Sequence, residues 1–164
     1  MVGKYVFAGS GSVLISRSKY ASIMAGPEYK ATVKWAGDDF FIGTTPRGYS
    51  HVIDVKGDRA SAPNPIEMLL VAVAGCTASD VISILIKKRQ DVTAYDVVIT
   101  GTRAGEHPRK FETFHVNHIV HGRNVSEKAV ADAVELSDTK YCSVAATVRP
   151  TAKITTSFEI VDVP

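Results

Sequence analysis

The feature that most constrains this chain is the stretch of residues 64–89, for which the sequence predicts one long helix. Asn64 is a favourable N-cap, and Pro65 suits the first helical position because its missing N–H has no partner there. The side chain of Glu67, at the third helical position, can accept a hydrogen bond from the N–H of Asn64 and so complete a capping box. The basic residues 87–89 suit the other end, where cations interact favourably with the helix dipole. Such a helix is roughly 39 Å long at about 1.5 Å per residue.

Residues 68–78 of this helix are apolar on almost all sides, which is typical of a helix buried by several neighbours. Small or polar residues interrupt the apolar run, namely Gly75, Cys76, Thr77, Ser79 and Asp80. The uninterrupted run is therefore shorter than the roughly 18 to 20 residues that span a bilayer, and we predict no membrane segment. The remaining chain is expected to fold around this helix.

On both sides of the long helix, apolar and polar residues alternate with period two, as in strands with one buried face. The predicted strands are residues 30–35, 40–44, 50–55, 92–103, 110–121 and 152–161. A second helix is predicted from a cap at Asn124 or Ser126 to about Ser137, and a third at residues 141–148. The element order is therefore βββ-α-ββ-αα-β, with a meander before the long helix and a hairpin after it. This order predicts an α+β fold, because strands and helices do not alternate as in βαβ units.

The length of 164 residues suits one domain, at residues 30–164, preceded by an N-terminal extension at residues 1–29. The formal net charge of +2 indicates neither a nucleic-acid partner nor an anionic membrane surface. The extension lacks the apolar block of a secretory signal. Two cysteines without a C-x-x-C motif are typical of a reducing compartment, so we expect a cytoplasmic protein.

The two cysteines are the candidate catalytic residues. Cys76 lies in the middle of the long helix, with Asp80 one turn later on roughly the same face. A buried thiol is more often a small apolar residue than a nucleophile. Cys142 opens a short helix, where unpaired N–H groups favour a thiolate. If the two thiols meet in space, one can attack an oxidant and the other can resolve the product, but sequence spacing alone leaves this open.

Three histidines form an H-x-x-H-x-x-H pattern at His115, His118 and His121. On a strand, His115 and His121 share one face while His118 points to the other, so a single ion cannot bind all three. We therefore interpret them as exposed or hydrogen-bonding residues. The sequence also has no Gly-rich phosphate loop, Ser-His-Asp elbow or H-E-x-x-H motif, so we predict no cofactor and no metal.

Glu67 is the third candidate catalytic residue, and it has two interpretations. As a member of the capping box it has a structural role, and nine helical positions place it on nearly the opposite side of the helix from Cys76. A direct acid–base role remains open if the first turn departs from regular helix.

The run Asn64-Pro-Ile-Glu-Met-Leu-Leu-Val-Ala-Val-Ala-Gly-Cys76, together with Lys140-Tyr-Cys-Ser-Val-Ala145 and the element order, resembles the OsmC/Ohr family of osmotically inducible and organic hydroperoxide resistance proteins. Within that family the chain is most similar to the YhfA-like subgroup, from about residue 30 to the C-terminus. The resemblance implies an intertwined homodimer with the long helices at its centre and a site at each subunit interface.

The resemblance also implies a peroxidatic Cys76 and a resolving Cys142. In the peroxidase branches a thiolate takes an oxygen from an organic hydroperoxide, and the resulting sulfenic acid condenses with the second cysteine to a disulfide. A dithiol reductant then reopens the disulfide. The expected partners are therefore a second copy of the chain, a small organic hydroperoxide and a dithiol reductant.

Two positions depart from the peroxidase pattern. A Glu directly follows Asn-Pro in those branches, whereas this chain has Ile66 there and Glu67 one position later. An Arg late in the third strand stabilises the thiolate in those branches, whereas this chain has Asp54, so Arg47 or Arg59 would have to replace it from a loop. The alternative function is a non-catalytic dimer of the same fold that binds a small apolar ligand or acts as a redox sensor.

Overall fold

The computed structural model describes residues 28–56 and 61–164, and its element order confirms the predicted α+β fold. The elements are β1 Thr32–Gly37, β2 Phe40–Thr44, β3 Ser50–Asp54, α1 Pro65–Lys87, β4 Asp91–Arg103, β5 Phe111–Arg123, α2 Glu127–Leu136, a π-helical turn Ser137–Tyr141, α3 Ser143–Val148 and β6 Lys153–Asp162. Residues 1–27 of the predicted extension lie outside the described residues.

The first three strands form an antiparallel meander in the order β1-β2-β3, as predicted. A tight turn joins β1 to β2, with Gly37 at φ 99° and Asp38 at φ 50°, a left-handed conformation that glycine and aspartate tolerate best. The strand register places Val33 and Trp35 on the same face of the sheet as Phe41. Both Val33 and Trp35 are more than 60% exposed, so residues 28–56 and 61–164 leave this apolar face largely uncovered.

The last three strands form a second sheet in the order β4-β5-β6. The predicted hairpin of β4 and β5 is confirmed, and β6 pairs with β5 in parallel. Helices α1 and α2 pack on this sheet around one core, whose buried members are Val81, Leu85, Val120, Ala129, Val130, Ala133 and Val134. A second buried group, Phe111, Phe114 and Ala152, packs against the first turns of α1. This part of the chain therefore carries its own core.

The start of α1 forms as predicted. The side chain of Asn64 accepts hydrogen bonds from the N–H groups of Ile66 and Glu67, and Glu67 accepts one from the N–H of Asn64 at 2.8 Å. This completes the capping box. The helix ends at Lys87, two residues earlier than predicted, because Arg89 adopts φ 56° and turns the chain towards β4.

Among the described residues, the buried positions of α1 lie on one side of the helix. Its buried residues, Val73, Thr77, Val81 and Leu85, recur every fourth position and form one stripe. On the other side Val71 is 69% exposed. By length and composition the helix could cross a membrane. The prediction that its apolar run is too short to span a bilayer was therefore wrong. A single helix of this kind is weak evidence for a span, because the core helix of a soluble protein passes the same test.

Candidate functional site

The fold brings the two cysteines together. Cys76 lies in the middle of α1, and Cys142 is the N-cap residue of α3, which packs against α1. The sulfur of Cys76, the sulfur of Cys142 and a carboxylate oxygen of Asp80 all lie within 4.8 Å of one another. We call these three residues the thiol–carboxylate cluster. Asp80 belongs to it because it follows Cys76 by one helical turn, as the sequence indicated.

The backbone around Cys142 explains how its sulfur is held. The π-helical turn Ser137–Tyr141 ends with a hydrogen bond from the N–H of Cys142 to the carbonyl of Ser137 at 3.0 Å. Cys142 then adopts an extended conformation, and its sulfur accepts a hydrogen bond from the N–H of Ala145 at 3.3 Å. The sulfur therefore caps α3 and points into the interior.

Burial controls the protonation of this thiol. Cys142 is 4% exposed, and burial raises its pKa to about 11, although the N–H of Ala145 acts in the opposite direction. The pKa of about 11 also includes smaller effects in the same direction as burial, from Cys76 as a hydrogen-bonding neighbour and from Asp80 as a nearby negative charge. The expectation that the helix start would favour a thiolate at Cys142 was therefore wrong, because loss of solvation has the larger effect.

A chain of hydroxyl groups fixes the orientation of Asp80. The hydroxyl of Ser137 donates to Asp80 Oδ2 at 3.2 Å, and it lies 2.8 Å from the hydroxyl of Thr77. Thr77 and Ser137 are both buried. Ser137 was not predicted as a site residue, since no local sequence pattern indicates that the end of α2 contacts α1 here.

Two cavities border the cluster. A cavity of about 370 Å³ is lined by Cys142 together with Asp138, Thr139, Lys140, Ala146, Arg149 and Pro150. A second cavity of about 360 Å³ is lined by Asp80 together with Ser83, Ile84, Lys87, Leu136 and Tyr141. Small molecules or ions therefore have space next to both Cys142 and Asp80.

The cations beside the cluster differ from those expected. Lys140 and Arg149 line the cavity at Cys142, and Arg149 donates to Asp138 Oδ1 at 2.6 Å, so its charge is already paired. Arg47 lies in the exposed turn between β2 and β3, and Arg59 lies outside the described residues. Across residues 28–56 and 61–164, no hydrogen bond joins an arginine to either thiol.

Asp54, which stands where the peroxidase branches have an arginine, is buried at the end of β3 and accepts a hydrogen bond from the N–H of Lys56 at 3.0 Å. Glu67 is exposed, and its carboxylate is engaged with the N–H of Asn64. Nine residues of helix separate it from Cys76, which corresponds to roughly 13 Å along the axis. The structure therefore confirms the capping role of Glu67 and does not bring its side chain to the thiols.

The three histidines lie on alternate faces of β5, as predicted. His118 is fully buried and its Nδ1 lies 2.6 Å from the hydroxyl of Tyr95. His115 is exposed and lies within hydrogen-bond distance of the hydroxyls of Thr155 and Ser157. Burial lowers the pKa of His118 to about 4, so this imidazole is neutral at physiological pH. His115 and His118 therefore form hydrogen bonds to other residues of the same sheet, as expected for structural histidines.

The family model described as OsmC-like protein matches residues 57–157, which is more than half of the chain. The chain belongs to the OsmC-like family. It is 44% identical over 133 residues to Protein YhfA of Escherichia coli (strain K12), an alignment covering 80% of this chain and 98% of YhfA. This confirms the resemblance noted from the two cysteine motifs.

Solved structures show the same fold. A hypothetical protein from Aquifex aeolicus is 31% identical, with a TM-score of 0.76 over 85% of this chain and 100% of that one. An organic hydroperoxide resistance protein from Elizabethkingia anophelis is 11% identical, with a TM-score of 0.62 over 84% of this OsmC-like chain and 99% of its own. At 11% identity the second likeness shows the fold alone.

Proposed function

We propose that this OsmC-like protein is a cytoplasmic thiol peroxidase that reduces organic hydroperoxides during oxidative stress. One observation carries the proposal: two free cysteines from distant parts of the chain have their sulfur atoms within 4.8 Å of each other. A disulfide requires about 2 Å between sulfurs, so a small movement of α3 towards α1 is enough to form it. The cavity lined by Cys142 provides space for a small substrate.

The burial of the two thiols supports the assignment of their roles. Cys76 is partly exposed whereas Cys142 is buried, so Cys76 is the thiol that a hydroperoxide reaches first. In the proposed reaction the Cys76 thiolate attacks the terminal oxygen of the O–O bond. The bond breaks, the alkoxide leaves and takes a proton to become the alcohol, and Cys76 is oxidised to a sulfenic acid.

The second step uses Cys142. Its sulfur attacks the Cys76 sulfur, the thiol proton and the sulfenic hydroxyl leave as water, and a disulfide remains. The two electrons that reduced the hydroperoxide have then come from the two thiols. A dithiol reductant restores both thiols by exchange, and its own sulfurs become a disulfide.

We include the intertwined homodimer in this proposal, with α1 at its centre. The outward side of α1, at Val71, and the apolar face of the first sheet, at Val33 and Trp35, are exposed within one chain. Apolar surface of this kind is stabilised when a second copy covers it. A second copy packed on α1 would also explain why this helix is so apolar, and no membrane is then needed to explain it.

A second candidate function is binding of a small apolar molecule without turnover. A cavity of about 200 Å³ supports it, with mostly apolar lining residues: Ile66, Leu69, Lys110, Phe111, Phe114, Val148, Thr151 and Ala152. A redox sensor is the third, supported by the absence of an arginine hydrogen bond to either thiol within the described residues.

The test is thiol counting on the reduced full-length protein after mixing with cumene hydroperoxide or with hydrogen peroxide. We expect rapid loss of two thiols per chain with cumene hydroperoxide, and a mass decrease of about two hydrogens from the intramolecular disulfide. Cys76→Ser should stop peroxide consumption. Cys142→Ser should still consume one equivalent and leave a sulfenic acid that dimedone traps.

Glu67→Gln serves as the test of the third candidate residue. Because its carboxylate caps α1 far from the sulfurs, we expect the oxidation rate to change by less than about twofold. A larger loss would instead support an acid–base role for Glu67. Inert thiols in a protein that carries a bound apolar molecule would favour the binding function, and equal rates with both peroxides would favour the sensor.

A further inference from the structure

We propose that the reduced thiol–carboxylate cluster is a Zn²⁺ site, with Cys76, Cys142 and Asp80 as its three protein ligands. The three donor atoms already lie within 4.8 Å of one another. Around a tetrahedral Zn²⁺ with bond lengths of about 2.0 to 2.3 Å, ligand atoms lie roughly 3.5 to 3.8 Å apart. Each donor therefore has to move by only about 1 Å towards a common centre.

The ligand types fit Zn²⁺ better than the other common divalent cations. Thiolate sulfur is a soft ligand that Mg²⁺ and Ca²⁺ avoid, whereas zinc combines cysteine sulfur with carboxylate oxygen. Zn²⁺ binding displaces the protons of the two thiols, and the resulting thiolates and the carboxylate together bring three negative charges to one point. A divalent cation neutralises most of this charge, which burial would otherwise make costly.

The surroundings of Asp80 resemble those of a metal ligand. The buried hydroxyl of Ser137 donates to Asp80 Oδ2, and the hydroxyl of Thr77 lies next to that of Ser137. Hydrogen bonds of this kind orient the carboxylates that bind metals and fix which oxygen faces the ion. In the proposed site the other oxygen of Asp80 binds Zn²⁺, since a carboxylate has lone pairs on both oxygens.

The proposed site has three protein ligands, so its fourth position is open to water or to a small ligand. The cavities at Cys142 and at Asp80 provide space for that ligand and a path for the ion. Arg149, which lines the cavity at Cys142, is paired with Asp138, and this reduces its repulsion of an incoming cation. The geometry is thus that of an open zinc site and not of a closed structural one.

Metal binding is measured on the reduced full-length protein without any peroxide, so its outcome does not depend on the proposed peroxidase activity. We expect Co²⁺, used as a spectroscopic probe, to give thiolate-to-cobalt charge-transfer bands, and one equivalent of Zn²⁺ per chain to remove them. Zn²⁺ should also protect Cys76 from iodoacetamide.

The variants separate this site from adventitious binding. Cys76→Ser and Cys142→Ser should each remove about half of the charge-transfer intensity, because one sulfur ligand remains. Asp80→Asn should weaken Zn²⁺ binding by more than about tenfold, and Ser137→Ala by about 10- to 100-fold. The matched control is Asp96→Asn, which changes an exposed aspartate on β4 and should leave the affinity unchanged.

Two results would overturn the proposal. One is a Co²⁺ spectrum without charge-transfer bands. The other is Zn²⁺ binding that Cys76→Ser leaves as tight as in the unaltered protein, since zinc would then sit elsewhere, for example at the exposed histidines of β5. Circular dichroism of each variant shows whether it keeps the fold.

Discussion

The two sheets of this protein differ in how they are stabilised. The sheet of β4, β5 and β6 packs against α1 and α2, and residues such as Leu85 and Phe114 are almost completely buried there. The sheet of β1, β2 and β3 has Val33 and Trp35 exposed on one face and Val52 exposed on the other. Among the described residues, no helix therefore covers the first sheet as α1 and α2 cover the second.

This difference predicts which region one chain stabilises by itself and which region the proposed second copy stabilises. The second sheet and one side of α1 share buried apolar side chains within the chain, so we expect this region to dominate the unfolding free energy. The first sheet is joined to the start of α1 by a hydrogen bond from the N–H of Asp54 to the carbonyl of Pro63. We therefore expect the first sheet to be stabilised by the second copy of the chain in the proposed homodimer.

The largest expected effect is in the covered sheet. Phe114 is 1% exposed and its ring centroid lies 4.6 Å from that of Phe111. Phe114→Ala leaves a cavity there, and we expect a loss of about 3 to 5 kcal/mol in unfolding free energy, measured by urea denaturation. The control Val98→Ala truncates an exposed side chain on β4 and should cost less than about 0.5 kcal/mol. Equal losses would contradict the difference between buried and exposed positions.

The second prediction concerns pH and the same sheet. Burial lowers the pKa of His118 to about 4 from an unfolded value of 6.5, so between these pH values the unfolded chain binds the extra proton. His118 therefore contributes its full stability above pH 6.5 and loses it as the pH falls towards 4, by about 3 kcal/mol in total. Urea denaturation at several pH values measures this.

His118→Gln provides the comparison for that titration, because it removes the titrating group from the core. The acid sensitivity between pH 6.5 and 4 should become smaller in His118→Gln, while the exposed His115→Gln should keep it. If both variants keep the full sensitivity, another group is responsible.

The third prediction tests whether a second copy covers the first sheet. Val33 on β1 and Val98 on β4 are both exposed strand valines, one in each sheet. We expect Val33→Asp to weaken dimerisation at least about tenfold, because it places a charge in the proposed interface, and Val98→Asp to leave dimerisation unchanged. Sedimentation over a range of concentrations measures the dimer fraction. A monomer in both variants and in the unaltered protein would rule out the homodimer.

The smallest effect is expected at the boundary between the two regions, where α1 begins. Asn64→Ala removes the side-chain acceptor for two helical N–H groups, and we expect a loss of about 1 kcal/mol in thermal or urea denaturation. Glu67→Gln keeps an acceptor for the N–H of Asn64, so its loss in unfolding free energy should be only about a few tenths of a kcal/mol. If Asn64→Ala is neutral, this turn frays without affecting the rest of the molecule.

Local sequence patterns were sufficient to predict every helix and strand except the π-helical turn. The cap at Asn64 and Glu67 placed the start of α1, and the alternation in residues 92–103 and 110–121 placed β4 and β5 within one or two residues. The π-helical turn at Ser137–Tyr141 was missed, because it continues the pattern of α2 without a local signal. The parallel pairing of β6 with β5 was also not predicted, because strand direction depends on the path of the whole chain.

The candidate site was predicted only in part for the same reason. The helical spacing of Cys76 and Asp80 already placed them on one face of α1. Cys142 and Ser137 lie close to Cys76 and Asp80 because α3 and the π-helical turn pack against α1. The spacing of these residues in the sequence does not predict this packing. The buried state of Cys142 likewise arises from tertiary contacts, and it reverses the effect expected from the helix start alone.

The sulfur of Cys142 is also the N-cap of α3, where it accepts a hydrogen bond from the N–H of Ala145. A thiolate, a disulfide and a metal-bound sulfur differ in their strength as acceptors, so each chemical state of this atom anchors the first turn of α3 differently. Amide hydrogen exchange at Ala145 therefore reports on the chemical state of this sulfur, and in the proposed reaction we expect its rate to differ between the reduced and the oxidised protein.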